Sequence, residues 1–579
     1  MTKNYVNWKV AGAAGEGIKS TGMIFSKACL RLGLHTFDYT EYPSLIRGGH
    51  NTYQVLASMD KVYAPEKPVD ILIALNHQAL EYHTAELQPQ SVIVYDPEDN
   101  QADLSNLKLK GLVLPVPLNR LAKEAGGERL MANNVALGVS MFLLNFDLTT
   151  IKAVIGESFS GKKSVLVEVN QKAAQAGYDY AQSHFPPISE IALSFQTPID
   201  NLTMSGNEAL SLGAIAGGMQ AYIAYPMTPS STILHQLADW QAKANIFVKH
   251  AEDEIGVINM ALGMSFAGVR VACGTSGGGF CYMTEAVGLS GIAELPLVIF
   301  EAQRPGPALG MPTWTAQADL LFAINAAQDE FPRIVLAPGD VTEAFNLAKL
   351  SFDLAENYQI PVIILSDKHL SESNESIHLE TTTFSHEQVS FNQHPEVDAS
   401  GFYPRYRDTA SGISLRTIPG QANGLYMANS YEHDPYGLGS ETPIDRITQM
   451  DKRFQKFDSI KTHLPDQFYD GSDHPQITFI SWGSTKGAVR AGIKLLRSQG
   501  IDAAMLNLSW LWPFPIEPVK AAIDKSQNAI VIEGNKTSQL ARLIKEQVGY
   551  DIYHKRTKYD GRPFFPDEII QYSNEILNL

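Results

Sequence analysis

Cysteine is scarce in this 579-residue chain: Cys29, Cys273 and Cys281 are its only three. There is no Cys-x-x-Cys, and no cysteine–histidine spacing of zinc or ferredoxin type, so the chain cannot by itself supply four thiolates to an iron-sulfur cluster. Cys29 falls in an expected amphipathic helix and Cys273 beside an expected buried strand, where a thiol acts as a small apolar side chain. Positive charge is short as well. Lys and Arg number 45 against 62 Asp and Glu, a net charge of −17, which argues against nonspecific binding of nucleic acid, since that relies on neutralising phosphates. No apolar run reaches the length of a membrane span. The N-terminus, Met1-Thr2-Lys3-Asn4-Tyr5, passes into an expected strand with no apolar signal core, so a cytoplasmic protein free of membrane partners is expected.

What is present is ordinary for a globular chain: 44% hydrophobic and 18% charged residues, in a length that suits about three or four domains. Apolar runs of strand length alternate with helical stretches, which predicts an α/β fold class with three parallel-sheet domains, the first of them doubly wound. These are expected at 1–190, 200–371 and 470–579, with a polar, loop-rich connecting segment at 372–469. In the first domain a strand at 8–11 runs through Gly12-Ala13-Ala14-Gly15-Glu16-Gly17 into a helix at 18–32. That arrangement can place backbone N–H groups around a phosphate, and a purely structural turn fits it equally. Its spacing is not the Gly-x-Gly-x-x-Gly of dinucleotide binders, which weighs against a dehydrogenase built on these glycines.

The richest stretch is 221–279. An apolar strand at 221–224 leads into Tyr225-Pro226-Met227-Thr228-Pro229-Ser230-Ser231, where Thr228 is expected to cap the helix that Pro229 begins. Three acids, Glu252, Asp253 and Glu254, then open a helix of small and apolar residues. A strand expected at 269–272 follows, and then Thr275-Ser276-Gly277, where the glycines let backbone approach a flat ring closely. Further on, a strand at 297–301 ends near Arg304, at the carboxyl end where parallel sheets bind ligands.

The Tyr-Pro-x-Thr-Pro-Ser-Ser segment, the helix-leading Glu254 nine residues before Gly263, and the Thr-Ser-Gly turn together resemble the pyrimidine-binding domain of thiamine diphosphate enzymes. The closest likeness is to the 2-oxoacid:ferredoxin oxidoreductases. Gly310-Met311-Pro312-Thr313 and Gln317-Ala318-Asp319-Leu320 resemble alpha subunits of 2-oxoglutarate-type members, although Trp314 stands where a basic or polar residue is more usual. The first domain, with Arg47-Gly48-Gly49 and Met131-Ala132-Asn133-Asn134, resembles the family's gamma subunit fused ahead of the alpha part, and the last resembles a transketolase C-terminal-like domain.

The resemblance implies a subunit that oxidatively decarboxylates 2-oxoglutarate with coenzyme A to succinyl-CoA and CO2, passing electrons to ferredoxin. It implies Glu254 as the catalytic carboxyl on the coenzyme's aminopyrimidine, with Glu252 the competing choice. Thr228 and Arg304 would hold the substrate carboxylate. Pro226, Thr275, Ser276 and Gly277 would line the thiamine diphosphate, and Gly15, Gly17 and Arg47 would lie near coenzyme A. No Gly-Asp-Gly segment for Mg2+ and diphosphate occurs here, so Mg2+ and a [4Fe-4S] cluster are expected in a beta subunit, in a dimer of alpha–beta pairs. No metal site is expected in this chain, His433 being read as a structural or interface residue. Pyruvate or branched-chain specificity and a non-catalytic scaffold are the rival readings.

Overall fold

A computed structural model describes residues 2–578 apart from 46–47, 99–103, 160–164, 195–201, 379–390 and 398. Arg47 therefore lies outside the described residues. Three sheets organise the described residues.

The middle sheet has seven strands, in the order Trp510–Trp512, Ile334–Leu336, Pro361–Asp367, Leu297–Gln303, Val271–Thr275, Ala221–Ala224, Phe247–His250. All pairs are parallel except the first. Strands buried on both faces read as unbroken apolar runs, as Leu297–Gln303 does until Glu301. One face packs the helices Glu254–Phe266 and Gly277–Ile292 through Val257, Ala261, Phe280 and Met283. The opposite face packs Gly206–Ala216 and Val341–Tyr358.

The first sheet is mixed, where a doubly wound parallel one was expected. Tyr5–Ala14 pairs parallel with Val69–Ala74 but antiparallel with Gly48–Ser58, which pairs antiparallel with His35–Glu41. The cause is the short link between His35–Glu41 and Gly48–Ser58: it leaves no room for a crossover helix, so the chain folds straight back. The sheet's far edge is covered by Asn374–Ile377 and Leu202–Ser205, an antiparallel pair that brackets the middle unit, as an exposed edge requires.

The connecting segment departs from expectation too. It opens with Asn374–Ile377 and closes with an 18-residue helix, Pro443–Ile460, capped by Thr442 with Pro443 at its first turn. No apolar period announces this helix because its buried side is charged. Lys452 and Lys456, both wholly buried, reach Glu294 at 2.6 Å, and Arg453 reaches Glu432 at 2.7 Å. Burial alone would raise the Glu294 carboxyl, but Lys452, Lys456 and Arg405 outweigh it and hold it well below the carboxylate range.

The third sheet is Phe468–Asp470, Ala503–Leu508, Ile477–Trp482, Ala529–Glu533, His554–Thr557, parallel apart from its first pair. Gln317 ties it to the middle unit: its Nε2 donates to Trp482 O, and its Oε1 accepts from Gly534 N, both at 2.8 Å. Among the described residues no helix is long and apolar enough to cross a membrane.

Candidate active site

Four segments meet at the carboxyl edge of the middle sheet. These are the loop after Ala221–Ala224, the start of the Glu254 helix, the turn after Val271–Thr275, and Arg304 after Leu297–Gln303. Of the three acids in a row, the first two face solvent while Glu254 is only 8% exposed. The helix starts there because Asp253 caps it, its carboxylate accepting from Gly256 N at 2.7 Å.

Glu254 lies against the first turn of the Gly277–Ile292 helix. A Cβ placed on Gly279 would fall 2.4 Å from Glu254 Oε1 and 2.1 Å from Thr275 Oγ1, so the carboxyl and hydroxyl occupy the space a side chain would fill. Thr275 is fully buried and turns its hydroxyl toward Met227 Sδ, 3.8 Å away. Ser276 stands at the N-cap of the glycine helix without capping it, and its buried hydroxyl meets no hydrogen-bond partner among the described residues. Gly277 is the helix's first residue. A buried carboxyl, a spare hydroxyl and a side-chain-free helix start fit the polar edge and flat face of an aminopyrimidine.

Thr228 does not cap a helix. The helix begins at Ser231, three residues later, after a cis Thr228–Pro229 bond. Instead Thr228 O accepts from Arg304 Nη1 at 2.7 Å. The loop is held by Asn207 Nδ2 on Pro229 O and Ser230 Oγ on Met227 O, both at 2.8 Å, with Pro226 half-buried beside them. Arg304 is 7% exposed, and burial lowers its pKa from the usual guanidinium value.

Gly15 and Gly17 lie in the turn between the strand Tyr5–Ala14 and the helix Ile18–Arg31 of the first unit and are not brought to Glu254. Both take positive φ, 98° and 76°. Gly15 lines a cleft of about 180 Å³ with Glu16, Asp96, Asn119, Arg129 and Asn133, at the carboxyl ends of Tyr5–Ala14, Val69–Ala74 and Leu87–Tyr95. His433 is buried, with Nδ1 facing Asp434 O at 3.0 Å and Nε2 facing Ile292 O at 3.2 Å. At Trp314 a cation is present after all: the Arg562 guanidinium stacks 3.7 Å over its ring.

Sequence reasoning passed over Glu301. It is wholly buried, and neither carboxyl oxygen meets an N–H or O–H donor among the described residues. The signal was an acid ending a run of four apolar residues.

Three family models match the chain. Residues 212–452 match the family model "Pyruvate flavodoxin/ferredoxin oxidoreductase, thiamine diP-bdg". Residues 7–180 match "Pyruvate ferredoxin/flavodoxin oxidoreductase", and 476–569 match "Pyruvate:ferredoxin oxidoreductase core domain II". The 2-oxoacid:ferredoxin oxidoreductase subunit alpha of a Sulfolobus species is 30% identical over 97% of this chain and 96% of its own. The 2-oxoglutarate oxidoreductase subunit KorA of Mycobacterium tuberculosis is 29% identical over 97% of this chain and 90% of its own. A solved 2-oxoglutarate:ferredoxin oxidoreductase from Magnetococcus marinus, with 2-oxoglutarate, coenzyme A and succinyl-CoA bound, superposes with a TM-score of 0.92 at 31% identity, covering 99% of both chains.

Proposed function

Because the chain belongs to the 2-oxoacid:ferredoxin oxidoreductases, as an alpha subunit with a thiamine diphosphate-binding domain, we propose that its substrate is 2-oxoglutarate, decarboxylated oxidatively with coenzyme A to succinyl-CoA and CO2 while electrons pass to ferredoxin. The observation that carries this reading is the convergence of buried Glu254, the Thr275 hydroxyl and the open start of the glycine helix beside the Arg304–Thr228 contact. The 2-oxoglutarate assignment is supported by the names of the Mycobacterium relative and the Magnetococcus structure.

Thiamine diphosphate, when bound, supplies a nucleophilic carbon that adds to a 2-oxo group and accommodates the charge left by departing carbon dioxide. Glu254 is the residue for its aminopyrimidine: a carboxyl at Oε1 can hold or release a proton against a ring nitrogen, and Gly279 leaves room for it. Pro226, Thr275, Ser276 and Gly277 would hold the ring. Arg304 spends one N–H group on Thr228 O and keeps others for a substrate carboxylate, which a half-buried Thr228 flanks.

The diphosphate, Mg2+ and a [4Fe-4S] cluster fall to a beta subunit in this reading. Cys29 and Cys273 are buried and Cys281 is exposed, so they do not form a ligand set. The cleft lined by Gly15, two residues before Gly17, is the place for coenzyme A, and Arg47, outside the described residues, is assigned to the same ligand. The assembly is a dimer of alpha–beta pairs in the cytoplasm, and the domains divide at 1–190, 200–371, 372–469 and 470–579.

The test is made on the co-purified alpha–beta complex, following coenzyme A-dependent reduction of ferredoxin or viologen. 2-Oxoglutarate should be preferred over pyruvate and branched-chain 2-oxoacids, and Glu254→Gln should cut turnover by about 10²–10⁴-fold, the range for a lost proton-transfer group. Undiminished turnover in that variant would make the chain a scaffold, and preference for pyruvate would reassign the substrate.

A further inference from the structure

Behind the glycine turn lies a second acidic group that the reading above leaves unused. Glu301 and Thr275 are register partners on adjacent parallel strands, so their side chains leave the same face of the sheet, the face covered by the Gly277–Ile292 helix. That face is apolar here, with Ile299, Phe280 and Leu320 in one cluster. Glu301 is wholly enclosed in it, and its two oxygens find no N–H or O–H donor among the described residues.

The side chain that acts on Glu301 is another carboxyl, Asp319, which leans against the same turn at Gly277. Asp319 immediately precedes the short helix Leu320–Ile324 but does not cap it. Its own N–H is fixed by Gln303 Oε1 at 3.1 Å, and the side chain turns inward, so that a Cβ on Gly277 would fall 2.5 Å from Asp319 Oδ2. Phe280 and Phe322, with ring centroids 5.2 Å apart, keep the two helices together above the pair. Two facing carboxylates in such a place repel one another and lack the solvation an ion needs, whereas one proton between them makes a hydrogen bond and leaves a single charge.

We propose that Glu301 and Asp319 share a proton and, as a positioning pair, hold the Gly277 turn in the place from which it meets the aminopyrimidine. This rests on the thiamine diphosphate reading of the site. Burial first, and then Asp319, push the Glu301 carboxyl well above the carboxylate range, and burial pushes Asp319 up as well. The Cys281 thiol, one turn along the glycine helix, also acts on Glu301, and no lysine or arginine is among the groups acting on either carboxyl. Glu254 approaches the turn from its own helix, on the Gly279 side. The sign follows from the raised values. The pair's contribution is complete below the ordinary carboxylate range and falls away as pH climbs toward the pair's own value. Loss of the shared proton sets two charges side by side beneath the turn and displaces Asp319 against Gly277.

Infrared difference spectroscopy on the full-length chain, wild type against Glu301→Gln, reads the proton directly. The expected result is a carboxylic-acid carbonyl band in the wild type near neutral pH that the variant lacks. On the co-purified complex, calorimetric titration with thiamine diphosphate and Mg2+ should show wild-type affinity falling about tenfold as pH rises from the ordinary carboxylate range through the pair's raised one, and less than about twofold in Glu301→Gln, whose amide cannot ionise. Should that variant not fold, Asp319→Asn serves instead: Glu301, still held neutral by burial, should keep an acid band moved in frequency by its changed partner, and the alkaline loss of affinity should shrink as in Glu301→Gln. Absence of the acid band overturns the shared proton, and an equal alkaline loss in variant and wild type overturns the positioning role. A wild-type complex that bound no thiamine diphosphate would overturn the reading of the site and the positioning role with it, while the band, measured on the chain alone, still decides the proton.

Discussion

Gly279 is where the site admits no side chain at all. Alanine there would drive its methyl group into Glu254 Oε1 and Thr275 Oγ1, 2.4 and 2.1 Å away, and a close-packed position answers such insertion with about 1–3 kcal/mol of destabilisation. Gly279→Ala should therefore lower the denaturation midpoint and weaken thiamine diphosphate retention together. Gly263, which has nothing near its missing Cβ, is the control that should leave retention unchanged on the same substitution. An acid at a helix start has an ordinary reason to be there in the helix dipole, so Glu254 is set apart in the sequence only by the family's spacing to Gly263. Burial then separates it from Glu252. Thr before Pro fits a helix cap locally, yet the Thr228 carbonyl is engaged by Arg304, 76 residues away. No local pattern encodes a contact of that span. Glu301 shows the same limit: a strand acid gains meaning only when the turn holding Asp319 folds over it.

Among the elements, the helix Pro443–Ile460 was the hardest to foresee, since its buried face carries Lys452, Arg453 and Lys456 instead of an apolar stripe. Such a helix is stable only with its counter-charges. Glu294→Gln would leave Lys452 and Lys456 buried and facing an amide, and removing one partner from an enclosed ion cluster typically costs about 3–5 kcal/mol. Urea unfolding of the variant should show that loss, with far-ultraviolet circular dichroism reporting the helix. A variant with both lysines and Glu294 exchanged for apolar residues of like volume should recover most of it. Glu294 itself sits at φ 50°, just past the end of the Gly277–Ile292 helix, so this cluster fastens the connecting segment to the far end of the helix whose start meets Glu254. Strands such as Leu297–Gln303 and Ile477–Trp482 were legible as apolar runs, because burial on both faces leaves no other composition open to them.

At the scale of the whole molecule, Gln317 is a joint between the middle and third sheets. Its amide satisfies Trp482 O and Gly534 N, and its backbone N–H donates to Gly534 O at 2.7 Å. Gln317→Ala would strand two backbone groups at about 1–3 kcal/mol each. Calorimetry should then resolve an early transition for the third unit, and limited proteolysis should cut sooner between residues 461 and 476. The order of domain-like units was legible from the alternation of apolar runs and helical stretches. Their exchange of strands was not, because pairing between distant segments leaves no periodic trace in either one.

That exchange has a practical outcome. Trp510–Trp512 lies antiparallel along Ile334–Leu336, with Val335 opposite Trp512. A shortened protein ending near residue 470 would keep every strand of the central layer except this one, and its bare row of amides and carbonyls would recruit whatever extended peptide it met first. Such a fragment should come out of expression as soluble clumps or fibres, and a synthetic peptide covering the missing edge should suppress them.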